Sequence, residues 1–231
     1  MIMYLFILLL YNLDIMITFP QRQIKKNYRS ITGHFPSVKN NKSINFESKL
    51  EKTLFLTLEF DDNVEAYQEQ PQIQINFDGK IKTYSADCYV HYKSDFNLQD
   101  KLIEVKYSSE LIKKREYFEK KFTAIKKAAS ELGLMFSLFT EENFSQTYLD
   151  NLDFLYRYKT HGRINEYDEE IIALINNQTL PATFAVNELT DNPNKAISVA
   201  NSIWGLVADN KLTTEMHEQK ITMNSLVKVR A

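Results

Sequence analysis

Cysteine is almost missing from this chain: Cys88 is the one thiol among 231 residues. A lone thiol closes no internal disulfide, and no Cys/His cluster has the spacing of a zinc site, so structural zinc is not expected and a reduced, cytoplasmic setting is the default expectation. A long apolar run is missing as well. The opening MIMYLFILLLYNLDIMITFP loses its apolar character by Tyr11, short of the ~20 residues that a bilayer span needs, and it has neither a basic leader nor a small-residue cleavage site. No membrane segment is expected there. Met16 opens MITFPQRQIKKNYRS, which suits a soluble start, so residues 1–15 read as an upstream addition from an early start codon, part of an N-terminal extension over 1–21. Acidic residues are missing between Asp14 and Glu47, where Arg22, Lys25, Lys26, Arg29, Lys39 and Lys42 fall. The segment is a candidate arm for a phosphate backbone and equally a solvated terminus. Internal repeats and low-complexity tracts are lacking too.

What is present is an ordinary globular balance, 44% hydrophobic, 13% aromatic and 25% charged. That is enough for one core of ~150 residues and a smaller unit. The net charge of −2 hides an asymmetry: residues 1–165 carry 23 Lys+Arg against 21 Asp+Glu, and residues 166–231 carry 5 against 9.

Phe46, Leu50, Leu54 and Leu58 recur at steps of four, which predicts an amphipathic helix over 45–60 with Asn45 as N-cap. VEAYQEQPQIQINF and KIKTYSADCYVHY alternate in strand fashion around Asp78-Gly79, a hairpin signal. LIEVKY supplies a third strand, a Lys-, Glu- and Ala-rich helix over 111–132 stops at Gly133, and LMFSLFT (134–140) reads as a buried strand. Helix, three strands, helix and strand in that order predict an α/β fold, a mixed sheet flanked by helices. Beyond a boundary near 160–166, EYDEEIIALINN, TFAVNELT and NKAISVANSIWGLVADNKL suggest three helices, and TTEMHEQKITMNSLVKV suggests a two-stranded wing. The expected division is 22–161 and 162–231, the latter a small winged-helix-like unit.

Period-two geometry puts Leu102, Glu104 and Lys106 on one strand face and Ile103, Val105 and Tyr107 on the other. Taken alone, Glu104 and Lys106 read as a solvated pair. On the first helix, however, Glu47 and Glu51 fall in the apolar sector of Leu50, Leu54 and Leu58, where ionised groups are costly unless paired or bound to a cation. Asp87 stands among aromatic and β-branched neighbours in a strand context that disfavours Asp. Together these acids are enough to hold a hard divalent cation, with Lys106 at the edge of the site. The blander readings are pairing of Glu47 or Glu51 with Lys113 or Lys114, Cys88 as a small core residue, His91 at a strand end, Tyr84, Tyr89, Tyr92 and Tyr107 packing the sheet, and Trp204 as a core anchor.

Asp87, sixteen intervening residues and Glu104-Val105-Lys106 resemble the D…(D/E)xK core of restriction-endonuclease-like nucleases. The run ESKLEKTLFLTLEFDDNVEAYQEQP, with SADCYV, LIEVKY and LFTEENF, is similar to TnsA, the endonuclease subunit of heteromeric bacterial transposases of the TnsA, TnsB and TnsC type, including those of CRISPR-associated transposons. The similarity covers most of residues 22–160 and, faintly, the C-terminal part. It implies a restriction-endonuclease-like core in which Glu51, Asp87 and Glu104 bind metal and Lys106 is the catalytic lysine, with Glu47 standing behind Glu51. Ala86-Asp87 replaces a pair that often reads Pro-Asp, which alters backbone stiffness and not ligand chemistry.

The resemblance further implies two Mg²⁺ ions, about 4 Å apart and replaceable by Mn²⁺, that hydrolyse the 5′ strands of double-stranded DNA at transposon ends. The implied partners are the transposase TnsB and the AAA+ regulator TnsC. Two other readings stand beside it: a stand-alone restriction or repair nuclease of the same fold, and a non-catalytic adaptor of a transposition complex.

Overall fold

The computed structural model describes residues 18–23, 32–163 and 165–230. The extension over 1–15 and the arm residues Lys25, Lys26 and Arg29 lie outside the described residues. The chain divides between Asn143 and Phe144 into two compact units.

The first unit opens with an antiparallel hairpin, β1 (Gly33–Ser37) and β2 (Lys42–Phe46). Helix α1 (Lys49–Phe60) follows. It starts later than the expected 45–60, because Asn45 and Phe46 pair in β2 and Ser48 is the N-cap. The Ser48 Oγ accepts from the main-chain N–H of Glu51 at 3.1 Å, and the Glu51 carboxylate accepts from Ser48 Oγ at 2.9 Å and from the N–H of Glu47 at 2.9 Å. This is a capping-box arrangement, Ser-x-x-Glu, that satisfies first-turn donors.

Four strands make the central sheet: β3 (Val64–Glu69), β6 (Cys88–Tyr92), β7 (Lys101–Val105) and β8 (Met135–Phe139), in the order β3-β6-β7-β8. The first three are antiparallel, and β8 runs parallel to β7. A parallel neighbour needs a helical crossover. It is supplied by α2 (Ser108–Lys113) and α3 (Arg115–Glu131), so the single helix expected over 111–132 is broken at Lys114 (φ −120°, ψ 34°). Gly133, at φ 74°, ends α3 in the left-handed conformation that glycine tolerates. Strand β8 is not the buried strand expected. It lies at the sheet's edge, with Met135 46% and Leu138 37% exposed.

Between β3 and β6 a second hairpin stands off the sheet, β4 (Gln72–Phe77) with β5 (Lys80–Ser85). Asp78 and Gly79 turn it with φ of 54° and 72°, the double positive φ of a tight hairpin turn. The apolar side of α3, Phe118, Phe122 and Ile125, packs with Ile73, Tyr84, Tyr89 and Leu102. Tyr67, stacked on Phe55 of α1 at 5.5 Å, pairs with Val90 and so points to the opposite sheet face from Tyr89. The outcome is a mixed sheet flanked by helices.

The second unit begins with α4 (Gln146–Thr160), followed by α5 (Asp168–Ile175), α6 (Ala182–Leu189) and α7 (Pro193–Ala208). Strands β9 (Leu180–Pro181), β10 (Leu212–Thr214) and β11 (Leu226–Val229) pair in the order β10-β11-β9. The compact unit starts before the expected boundary near 161 because α4 packs into it: Trp204 of α7, 4% exposed, meets Phe154 of α4 edge-on at 5.9 Å. Asn151 of α4, 2% exposed, donates to the carbonyls of Met216 and Gln219 at 2.8 and 2.9 Å and accepts from the N–H of Ile221 at 3.0 Å. Among the described residues no helix is long and apolar enough to cross a membrane.

Candidate active site

The chain leaves the central sheet at Gln70-Pro71 and returns at Ala86-Asp87, and these two corners bond to each other. The N–H of Gln70 donates to the Asp87 carbonyl at 3.1 Å, and the N–H of Ala86 donates to the Pro71 carbonyl at 3.0 Å. Asp87 therefore sits in the gap between β5 and β6 and not in mid-strand as expected. Its own N–H donates to the Ile103 carbonyl at 3.1 Å, which sets it beside the end of β7.

There the side chains converge. The Asp87 Oδ2 accepts from the N–H of Val105 at 2.7 Å, and Lys106 Nζ lies 3.7 Å from it. The same ammonium is 3.0 Å from Glu104 Oε1 and donates to the Val105 carbonyl at 2.8 Å. The other oxygen of Glu104 accepts from the Tyr84 hydroxyl. Glu104 is only 3% exposed, so its charge is balanced by these specific donors and not by water.

Burial, followed by the charge of Glu104, pushes the Asp87 carboxyl up to about 7, against the opposing pull of Lys106 and the Val105 N–H. Burial works against the charge on Lys106, but Asp87 and Glu104 outweigh it and raise its pKa. The lysine stays an ammonium at neutral pH. Glu51 is raised by burial despite its bonds to Glu47 and Ser48, and it feels both Asp87 and Lys106 electrostatically. Four of the residues singled out in the sequence, Glu51, Asp87, Glu104 and Lys106, thus share one neighbourhood. Glu47 is turned elsewhere, to Arg22. Lys114 is bonded to Glu110 at 3.1 Å, within its own segment.

Among the described residues no three His, Cys, Asp or Glu side chains are already arranged as a metal cage. Buried Glu104 and half-buried Asp87 form a pair of hard oxygen donors whose repulsion is offset by one shared lysine. That donor set suits a divalent cation such as Mg²⁺.

Four participants escaped the sequence reading in whole or part. Lys121 reaches from α3 to 3.6 Å from Glu104 Oε1 and lies over the Tyr84 ring at 4.9 Å. Tyr84 was expected only to pack the sheet. Gln70, 1% exposed, points its amide nitrogen at Asp87 Oδ1, 3.4 Å away. Arg22 holds the oxygen of that amide. The spacing Tyr84-x-x-Asp87 and a Lys on the inner side of the crossover helix are the only sequence signals that point toward them.

The remaining candidates are structural. The Cys88 thiol is fully buried and pushed well up by burial and by Asp87, so it is no nucleophile. His91 Nδ1 and the Tyr89 hydroxyl both meet Asp100. Tyr92 is buried in the sheet, but Tyr107, also expected to pack there, is 46% exposed.

Residues 61–141 match the model of the TnsA-like endonuclease N-terminal domain. That stretch is similar to a TnsA-like endonuclease domain. The matched part of the chain holds Asp87, Glu104 and Lys106, whereas Glu51 and Arg22 lie before it. No curated protein matches the chain.

Proposed function

We propose that this chain is the DNA-cleaving subunit of a heteromeric transposase, hydrolysing the 5′ strands at transposon ends. The observation that carries the reading is the convergence of Asp87 and Glu104 on Lys106 inside a TnsA-like endonuclease domain. In it, Asp87 and Glu104 hold the divalent cation, with Glu51 facing them from the start of α1. When bound, Mg²⁺ or Mn²⁺ supplies the Lewis acidity that makes water an effective nucleophile near neutral pH. Lys106, protonated and 22% exposed, orients the attacking water and offsets charge that develops on the phosphate. The Tyr84 hydroxyl and the Val105 N–H fix the two carboxylates before substrate arrives.

The second unit we read as winged-helix-like, with α5, α6 and α7 as its helices and β10 with β11 as the wing. Its charge of 5 Lys+Arg against 9 Asp+Glu over 166–231 favours a protein partner over a phosphate backbone. The candidates are a TnsC-type ATPase regulator for this unit and a TnsB-type transposase for the nuclease. Association with a CRISPR system has no bearing on the site chemistry.

The test is a reconstituted reaction containing the transposase, the ATPase, the chain and a DNA bearing a transposon end. Asp87→Ala is expected to abolish 5′-strand cleavage and leave 3′-strand joining, so that cointegrates replace simple insertions. Simple insertions at the unmutated rate would falsify the reading.

A further inference from the structure

One buried side chain beside the site has a backbone that its residue type does not favour. Gln70 adopts φ 50°, a left-handed conformation that is uncommon outside Gly, Asn and Asp and carries strain. The surroundings hold it there. Its N–H donates to the Asp87 carbonyl, and its carbonyl accepts from the N–H of Arg22 at 3.1 Å. A side chain that only had to fill space at this corner needs no such clamp on both sides.

The side-chain amide is held just as tightly. Its Oε1 accepts from Arg22 Nε at 3.0 Å, from the Arg22 terminal nitrogen at 2.7 Å and from Ser85 Oγ at 3.1 Å. A guanidinium has donors only, so the oxygen of the amide must face Arg22 and the nitrogen must face Asp87. The amide cannot flip without setting NH₂ against guanidinium. The Asp87 Oδ2 is already fixed by the Val105 N–H at 2.7 Å. Gln70, at 3.4 Å from Oδ1, is the group that fixes the other oxygen and hence the plane of the carboxylate.

Arg22 belongs to a strap laid along the corner. The N–H of Phe19 donates to Gln68 Oε1 at 3.0 Å, and Gln68 Nε2 returns a bond to the Phe19 carbonyl at 2.7 Å. The Pro20 carbonyl accepts from the N–H of Gln72 at 2.8 Å, and Gln21 bridges to Pro71. Phe19 packs edge-on against Tyr89 at 5.0 Å. Glu47 binds the Arg22 guanidinium from its other side.

We infer that Gln70 is a positioning residue for the Asp87 carboxylate and that Arg22, carried by the strap over residues 19–22, orients Gln70. The active site is thereby completed by a segment outside the matched endonuclease region. The inference rests on Asp87 being a ligand of the divalent cation, as proposed above. Outer groups that orient a metal ligand matter to affinity about as much as tenfold or more when removed.

The experiment uses the full chain and Mn²⁺ as probe, with two readouts: Mn²⁺ binding followed by electron paramagnetic resonance, and 5′-strand cleavage in the reconstituted reaction. Arg22→Ala and Gln70→Met are expected to weaken Mn²⁺ binding about tenfold and to raise the Mn²⁺ concentration giving half-maximal cleavage to match. Arg22→Lys, which keeps a donor for Gln70 Oε1, should recover most of the loss. Arg22 is 40% exposed in its side chain, so its replacement uncovers no core, and Arg22→Ala decides the matter if Gln70→Met unfolds. Wild-type Mn²⁺ affinity and cleavage in Arg22→Ala, beside a dead Asp87→Ala, would overturn the inference and leave the functional reading standing. Equal losses in Arg22→Ala and Arg22→Lys would also overturn it, by showing a role in folding alone. Normal cleavage by Asp87→Ala would remove both.

Discussion

Lys121 Nζ lies 3.6 Å from the same Glu104 oxygen that faces Lys106 at 3.0 Å. The two lysines come from different elements: Lys106 follows β7 and Lys121 belongs to α3. Their roles should separate under mutation. Lys106 alone also faces Asp87, so Lys106→Ala should lower the cleavage rate by about 10²-fold or more, the scale of a group acting at the reacting atoms. Lys121→Ala removes a longer, partly exposed ion pair that contributes about 1 kcal/mol, so a loss of about fivefold is expected. Equal losses from the two variants in a single-turnover cleavage assay would contradict this ranking.

Asp87 also makes a prediction about pH. Its carboxyl is raised from 3.8 to about 7 by burial and by Glu104, so the folded chain holds this proton more tightly than the unfolded chain does. The stabilising contribution of the protonated form is complete below about pH 4 and is lost as pH rises through about 7. With divalent ions chelated, the wild-type melting temperature should therefore fall relative to that of Asp87→Asn across this window. Asparagine keeps an acceptor for the Val105 N–H and carries no charge to repel Glu104. Parallel pH profiles for the two proteins would show that Asp87 is already ionised in the fold.

The strap allows a clean truncation test of the N-terminus. A chain beginning at Met16 retains Phe19, Pro20, Gln21 and Arg22, all bonded or packed at the corner around Gln70 and Pro71. It should be soluble and cleave at the full rate. Loss of folding in that chain, read by circular dichroism, would mean that residues 1–15 pack on the domain.

Much of the site could be read from the sequence because strand alternation is a strict rule. Leu102, Glu104 and Lys106 share a face whatever the tertiary context, and Asp78-Gly79 admits few alternatives to a hairpin turn. Helix periodicity located α1 but misplaced its start, since Phe46, which alternates with Ile44 into a β-hairpin, also lies in phase with the helix stripe. The Ser48-x-x-Glu51 capping box was the signal that decides between them. Lys121, Gln70 and Arg22 were not legible for a different reason. Their roles depend on where a crossover helix and a strap come to rest, and no local periodicity encodes that placement. The left-handed Gln70 in particular follows from contacts made on both sides of it.

The second unit offers the last test, because its structural limit differs from the one suggested by composition. Helix α4 closes this unit: Asn151 clamps the loop at Met216, Gln219 and Ile221, Ser145 Oγ donates to the His217 carbonyl at 3.0 Å, and Tyr148 stacks flat on His217 at 4.3 Å. Phe154 meets Trp204 from the same helix. A fragment of residues 162–231 lacks all of these, leaving Trp204 uncovered and the loop carbonyls without donors. Losing a buried side chain of this size costs about 3 kcal/mol, a large part of the stability of so small a unit. The fragment 144–231 should therefore unfold cooperatively, whereas 162–231 should not. Asn151→Ala in the longer fragment should lower its stability by about 1–3 kcal/mol, through orphaned backbone groups. The folded fragment carries 8 Lys+Arg against 11 Asp+Glu, so it should bind the ATPase regulator and show no salt-sensitive affinity for duplex DNA. Tight duplex binding at low ionic strength that is released as salt rises would make the unit a second DNA-binding module instead.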